Sequence, residues 1–198
     1  MADLPVIFEQ DYVERRSRLT TLFRLILAIP HFFVLAVWGF AAWFVIVAAW
    51  FVLLFTARWP QGMFDFVAGL CRYSTLVYGY CFLLTDRYPP FSGAEDSDYP
   101  VRLRIAPPKP EYARLKVLFR LILAIPVAFI SYAMQLVAQI GAFIAWFVIV
   151  VTGRQPLGLQ DMTALGLSYQ QRSLTYFALI TEDWPPFTDN PATRITPA

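Results

Sequence analysis

The chain has 198 residues, of which 58% are hydrophobic, 17% aromatic and only 15% charged, and its net charge is +2 at pH 7. An average soluble domain carries about 25% charged residues, so this composition excludes an ordinary soluble domain and a disordered chain. The small net charge provides no basic surface for nucleic acid. One histidine and two cysteines give no metal-binding spacing, and we expect no cofactor.

The predicted elements begin with a short strand at Pro5-Val6-Ile7-Phe8, which precedes a helical pattern. Asp11 and Glu14 then form a capping pair for a helix at about 11–29. This helix is basic on one side and apolar on the other, which is typical of a helix lying at a membrane interface.

A first transmembrane helix is predicted at about 31–57, after a kink at Pro30, which removes a backbone donor. It lies in a run of 33 uncharged residues, longer than the roughly 20 needed to cross a bilayer. A tight turn at Arg58-Trp59-Pro60-Gln61-Gly62 follows. A second, more polar transmembrane helix is predicted at about 62–84.

The chain contains an internal repeat at an offset of 96 residues. The sequence RLTTLFRLILAIP at 18–30 returns as RLKVLFRLILAIP at 114–126, and the pattern Thr-x-Arg-x-Pro-x-Gly-x-x-Asp occurs at 56–65 and at 152–161. Shared apolar composition alone would not place polar residues and prolines at one constant offset. The chain is therefore a tandem duplication.

The duplication divides the chain into a first repeat at 1–98 and a second at 99–198. Pro100-Val101-Arg102-Leu103 corresponds to the first strand, and we hypothesise that the two strands pair into a small ribbon outside the membrane. The predicted helices of the second repeat are an interfacial helix at about 111–125 and transmembrane helices at about 127–153 and 158–181.

The distribution of basic residues predicts the topology. With two crossings per repeat, the opposite side of the membrane holds only Arg58 and Arg154. The side that holds the N-terminus, the central linker and the C-terminus carries twelve basic residues: Arg15, Arg16, Arg18, Arg24, Arg87, Arg102, Arg104, Lys109, Arg114, Lys116, Arg120 and Arg194. Basic loops favour the cytoplasm, so we predict an all-α integral membrane protein with four transmembrane helices and cytoplasmic termini.

Each second helix carries a polar stripe at helical spacing. Ionisable groups at membrane depth usually face the interior of a bundle and pair with one another, so the two stripes are expected to face each other or a partner subunit. They would serve as a structural ion pair, as an ion or proton path, or as a pocket for a lipid headgroup. The stripe residues are Asp65, Arg72, Asp161, Ser168, Arg172 and Thr175.

The repeated turn is interpreted as a rigid connection, with phosphate binding beside a helix N-terminus as the alternative. His31 is expected to act as a hydrogen-bond donor at the interface. Neither a Ser/His/Asp nor a Cys/His arrangement is present, so no enzyme is predicted. The candidate headgroup contacts are Arg18, Arg24, Arg58, Arg114, Arg120 and Arg154.

The start at 18–31, the Thr-x-Arg-x-Pro-x-Gly turn and the sequence Leu-Thr-Asp-Arg-Tyr-Pro-Pro-Phe at 84–91 resemble a bacterial membrane-protein family. That family is catalogued as a domain of unknown function, number forty-three eighty-nine. The second repeat departs from it at Val127, where the first has His31, and at 182–184. The resemblance implies a multi-pass protein of the bacterial inner membrane and brings no established reaction, cofactor or catalytic residues.

These observations lead to two functional hypotheses. The first is a non-enzymatic accessory or scaffold subunit of a larger inner-membrane complex, with membrane lipids and other membrane subunits as partners. The second is a lipid- or amphiphile-binding protein, or a small transporter, that uses the polar stripes of the second helices.

Overall fold

The computed structural model describes residues 4–186 and 195–197. The protein is mostly helical, with one small sheet. Its elements in chain order are β1 (Val6–Tyr12), α1 (Arg18–Thr56), α2 (Gln61–Cys81), β2 (Val101–Ile105), α3 (Arg114–Leu118), α4 (Arg120–Thr152), α5 (Leu157–Phe177) and β3 (Ile195–Pro197).

The sheet has the strand order β2-β1-β3. β1 and β2 pair antiparallel from Val6 opposite Ile105 to Gln10 opposite Val101, which confirms the ribbon predicted from the repeat. Alternate residues such as Phe8 and Val101 are fully buried, because successive side chains of a strand point to opposite faces. β3 adds a parallel strand on the other edge of β1, which the sequence did not predict.

The two repeats run antiparallel to each other. The Trp146 indole near the end of α4 donates to the Thr21 carbonyl at the start of α1 (3.2 Å). At the equivalent place in the other repeat, Trp50 donates to the Val117 carbonyl (2.9 Å). The start of each long helix region therefore lies against the end of the other repeat's long helix.

This arrangement contradicts the predicted sidedness. The Arg16 amide donates to the Gly153 carbonyl (3.0 Å), and the Gln155 amide donates to the Glu14 carbonyl (2.8 Å). The segment before α1 and the turn after α4 were predicted on opposite sides of the membrane. Residues joined by backbone hydrogen bonds cannot be separated by a bilayer, so the predicted arrangement, four crossings with the two repeats parallel, the termini on one side and both turns on the other, is wrong.

The predicted helix boundaries also need correction. Asp11 lies in β1, where it accepts from Arg102, and α1 begins only at Arg18, with the Ser17 hydroxyl accepting from the Thr20 amide. α1 continues through Pro30, so no separate interfacial helix precedes it.

In the second repeat the first-helix region is divided, but not at the predicted proline. α3 ends at Leu118 and α4 begins at Arg120, whereas Pro126 lies inside α4. The helix is interrupted at Phe119, whose amide donates to two carbonyls, those of Leu115 and Val117.

The long helices bury only a narrow stripe. On α1 the buried residues from Thr21 to Leu53 recur at spacings of three, four, seven and eleven, which place them on one helical face. The stripe of α4 contains small residues such as Ala138, Gly141 and Ala145. The remaining faces are apolar and exposed. Among the described residues, α1 and α4 are the two helices long and apolar enough to cross a membrane.

The second helices form an inner layer. α2 packs against α1 and β2, α5 packs against α4 and β1, and α2 also contacts α5. Both carry many buried polar residues, and neither is apolar enough to be a candidate membrane span. The layers of the molecule are therefore the sheet, the α2/α5 pair and the α1/α4 pair.

Candidate functional site

Two grooves lie between the long helices, at positions related by the repeat. The first groove has a volume of about 610 Å³, and the second has a volume of about 370 Å³. The first is lined by Thr21, Leu22, Arg24, Leu25, Phe32, Tyr78, Cys81, Phe82, Leu83, Gln139, Ala142, Phe143 and Trp146. The second is lined by Trp43, Ile46, Val47, Trp50, Phe51, Arg120, Leu121, Phe177 and Leu179.

Each groove combines apolar walls with one arginine and is closed by a leucine of unusual backbone conformation. Arg24 and Arg120 are only 2% and 4% exposed. Leu83 and Leu179 have φ angles of 66° and 62°, in the left-handed region that a leucine rarely adopts. This conformation ends α2 and α5 and turns the following chain back towards the arginine. The same left-handed turn therefore lies at both grooves.

Arg24 is fully engaged on its terminal nitrogens. It forms an ion pair with Asp86, and it also donates to the carbonyls of Tyr80 and Thr85. Its guanidinium lies 4.5 Å from the centre of the Tyr80 ring. Asp86 in turn accepts from the Ser17 amide (2.8 Å), so this arginine ties the end of α2 to the start of α1.

Arg120 has a poorer set of partners. It donates to the Thr181 carbonyl (2.9 Å) and lies 4.0 Å from the centre of the Tyr176 ring. The carboxylate equivalent to Asp86 belongs to Glu182, which accepts from the Ala113 amide instead. Among the described residues Arg120 has no ion pair, and its Nε, like that of Arg24, has no hydrogen-bond partner. The second groove thus contains a buried arginine with no described carboxylate within 4 Å.

The predicted polar stripe is not assembled into one site. Asp65 is exposed and accepts from Gln61, and Arg172 is buried beside the Ser168 hydroxyl (3.1 Å). No ion pair joins Asp65 to Arg72 or Asp161 to Arg172 within the described part of the chain. The Thr175 hydroxyl donates to a backbone carbonyl of its own helix.

Other residues make the polar contact between α2 and α5. The hydroxyls of Ser74 and Thr75 donate to the Gln171 side-chain oxygen, at 2.9 and 3.2 Å. Arg72 instead lines a small hollow under the sheet with Glu95 and Asp96. The helical spacing identified the polar residues of each helix, but it did not show which of them face the other helix.

The six candidate headgroup arginines fall into two groups. Arg24 and Arg120 are the buried groove residues. Arg154 forms an exposed ion pair with Glu14 at 3.7 Å. The exposed members are Arg18, Arg58, Arg114 and Arg154. The repeated turn has the same hydrogen bond in both repeats: the threonine hydroxyl accepts from the arginine amide two residues later.

Sequence reasoning missed Arg16, which is 7% exposed. It donates to the Leu84 carbonyl (2.8 Å) and to the side-chain oxygens of Gln155 (3.0 Å) and Gln160 (3.1 Å). Burial lowers the pKa of Arg16 to about 10, so the guanidinium remains charged at neutral pH. In the other repeat Tyr112 takes its place, donating to Ile180, a substitution that residue type alone does not reveal.

His31 is buried rather than exposed at an interface. Its Nδ1 lies 2.7 Å from the Tyr73 hydroxyl, and its ring stacks on Phe91 with centres 4.2 Å apart. Within residues 4–186 and 195–197, no group of three His, Cys, Asp or Glu side chains is placed to hold a metal ion.

Comparisons with known proteins assign a family. Its profile, described as "Domain of unknown function (DUF4389)", matches residues 18–93 and again residues 114–189. No curated protein and no solved structure matches the chain. The two matches follow the repeat seen in the sequence and, between them, include both arginine-bearing grooves. The chain therefore belongs to the DUF4389 family and carries two tandem copies of its domain.

Proposed function

We propose that this protein is a non-enzymatic membrane protein, of the bacterial inner membrane, that binds two amphiphilic lipids, one in each groove. The observation that carries the proposal is the pair of repeat-related grooves, each with apolar walls and one buried arginine. A lipid matches this chemistry, because it presents a long apolar chain next to a polar, often anionic, headgroup.

The walls of the grooves suit an acyl chain. Leu25 and Phe143 line the first groove, and Leu121 and Val47 occupy the equivalent places in the second. Binding sites for small molecules are typically apolar clefts with a few polar groups that fix orientation. Both grooves open between helices whose outer faces are apolar and exposed, so a lipid could enter without crossing water.

The arginines give the two grooves different affinities for anionic headgroups. Arg24 is neutralised by Asp86, whereas Arg120 has no carboxylate partner among the described residues. A buried unpaired charge is costly unless a counter-charge reaches it. We therefore propose that the second groove prefers an anionic lipid and that the first is less selective.

Filling each groove with a tryptophan tests this proposal. We expect native mass spectrometry of the protein in mild detergent, titrated with phosphatidylglycerol, to detect two bound lipids. Ala142→Trp in the first groove and Ile46→Trp in the second should each remove one of them. The double variant should bind none.

Phe129→Trp is the matched control, because Phe129 is 78% exposed and lines neither groove. It should retain both lipids. A wild-type protein without bound lipid, or tryptophan variants that bind as many lipids as the wild type, would contradict the proposal.

A second candidate function, an accessory subunit of a larger membrane complex, is favoured by one feature of the first repeat. An apolar hollow of about 370 Å³ opens on the outer side of α1 and α2, and it is large enough for side chains of a partner helix. The residues lining it are Phe33, Val34, Val37, Trp38, Ala41 and Phe66.

The same native mass measurement tests this second candidate. The second candidate is supported if a companion protein copurifies with the wild type and is lost with Ala41→Trp. Val137→Trp, the equivalent change in the second repeat, should keep the companion. A lone chain in the mildest detergents would count against it.

A further inference from the structure

The position of the sheet relative to the long helices carries information about orientation in a membrane. β2 lies along α2, since a Cβ on Gly79 would be 2.8 Å from Val101 and Arg72 lines a small hollow together with Leu103. That part of α2 packs against the first half of α1, where Tyr73 contacts His31. The centre of the sheet is therefore level with the interior of α1, whereas Tyr12 at the end of β1 reaches the turn after α4.

The outer face of the sheet is charged. Arg102 forms ion pairs with Glu9 (3.2 Å) and Asp11 (3.0 Å). Arg104 pairs with Glu9 (3.3 Å), and its side chain is 51% exposed. If α1 crossed a bilayer end to end, this cluster would lie inside the hydrocarbon core, where charged side chains are costly.

Both ends of the long helices are polar as well. At one end Arg154 pairs with Glu14, and at the other Lys109 pairs with Asp183 at 3.2 Å. α1 is about 58 Å long, almost twice the roughly 30 Å of the hydrocarbon core. If the long helices lie in the membrane plane, the ion pairs at both helix ends and the charged face of the sheet all remain in water.

We infer that the protein lies in the plane of the membrane, with α1 and α4 embedded in one leaflet and with the sheet and both helix ends in water on the same side. The exposed apolar face of α1 and α4 contacts the acyl chains of that leaflet. An apolar exposed face opposite a charged face matches the boundary between an acyl layer and water. The inference does not depend on lipid in the grooves.

Cysteine labelling distinguishes this orientation from the alternatives. In a background with Cys71→Ala and Cys81→Ala, single cysteines would replace Gly62, Gly158 and Ser97. Gly62 and Gly158 are equivalent, exposed positions at opposite ends of the long helices, and a side chain meets nothing within 4 Å at either. Ser97 is exposed beside the sheet. The reagent is a membrane-impermeant maleimide, applied to right-side-out and to inverted vesicles.

We expect all three cysteines to react in only one of the two vesicle preparations, and always in the same one. Labelling of Gly62→Cys and Gly158→Cys from opposite sides would show that the long helices span the bilayer and would overturn the inference. Labelling of Gly62→Cys and Gly158→Cys from one side of the membrane and of Ser97→Cys from the other side would also overturn the inference. Phe129→Cys, on the exposed apolar face, should resist the reagent until detergent is added.

Discussion

Replacing Arg24 with methionine is expected to lower the free energy of unfolding by about 3 kcal/mol, because removing one partner of a buried ion pair leaves the other uncompensated. We choose the lower end of the usual range because the Asp86 side chain keeps 26% exposure and retains its bond to the Ser17 amide. The change also orphans the Thr85 carbonyl. Denaturant unfolding in a mild detergent, followed by tryptophan fluorescence, would measure the loss.

Two other arginines provide controls for this variant. Arg120→Met removes the equivalent side chain, but it breaks no ion pair among the described residues, so we expect a loss of less than half that size. Arg18→Met changes an exposed residue and should stay within about 0.5 kcal/mol of the wild type. Equal losses for Arg24→Met and Arg120→Met would show that the ion pair with Asp86 contributes little.

Gly166→Ala is expected to destabilise the protein by about 3 kcal/mol, the upper end for overpacking. A Cβ at this position would overlap the Met134 carbonyl of α4 and lie 2.8 Å from the Ala138 Cβ. The Met134 carbonyl is part of the backbone of α4, and the Ala138 Cβ is bonded directly to that backbone. Neither atom can therefore move unless α4 shifts. The same unfolding experiment measures the effect.

Gly39→Ala is the matched control, because a Cβ there meets nothing within 4 Å. In a helix interior alanine is better than glycine by about 0.8–1.0 kcal/mol, so this variant should be slightly more stable than the wild type. The two alanine substitutions are thus expected to have opposite signs. A stabilising Gly166→Ala would contradict the close packing of α4 on α5.

The elements of the fold were largely predictable from the local pattern of residues. The repeat at an offset of 96 identified both copies of the domain, and the strands predicted at 5–8 and 100–103 overlap the observed Val6–Tyr12 and Val101–Ile105. The second helices were placed within a few residues of Gln61–Cys81 and Leu157–Phe177. Turn chemistry and helical periodicity are local, and so they can be recognised without knowledge of the fold.

The candidate site was predicted only in part. Arg24 and Arg120 were singled out as basic residues near a membrane, but a surface role was expected, whereas both are buried. Arg16 was counted only as one of many basic residues, because nothing in its neighbourhood indicates the distant glutamines that accept from it. Burial and long-range partners depend on segments 60 to 145 residues apart, which no local pattern encodes.

The sequence by itself determined that the chain is a duplication with two long apolar helices, because composition and periodicity act along the chain. Only the tertiary structure decided that the repeats run antiparallel, since this depends on contacts such as Arg16 with Gly153 and Trp50 with Val117. It also buried the two arginines in matching grooves and placed the charged sheet beside the interior of α1. Counting basic residues assumed that all four helices cross the bilayer in turn, and the sidedness obtained from that assumption is excluded by the bonds between Arg16 and Gly153 and between Gln155 and Glu14.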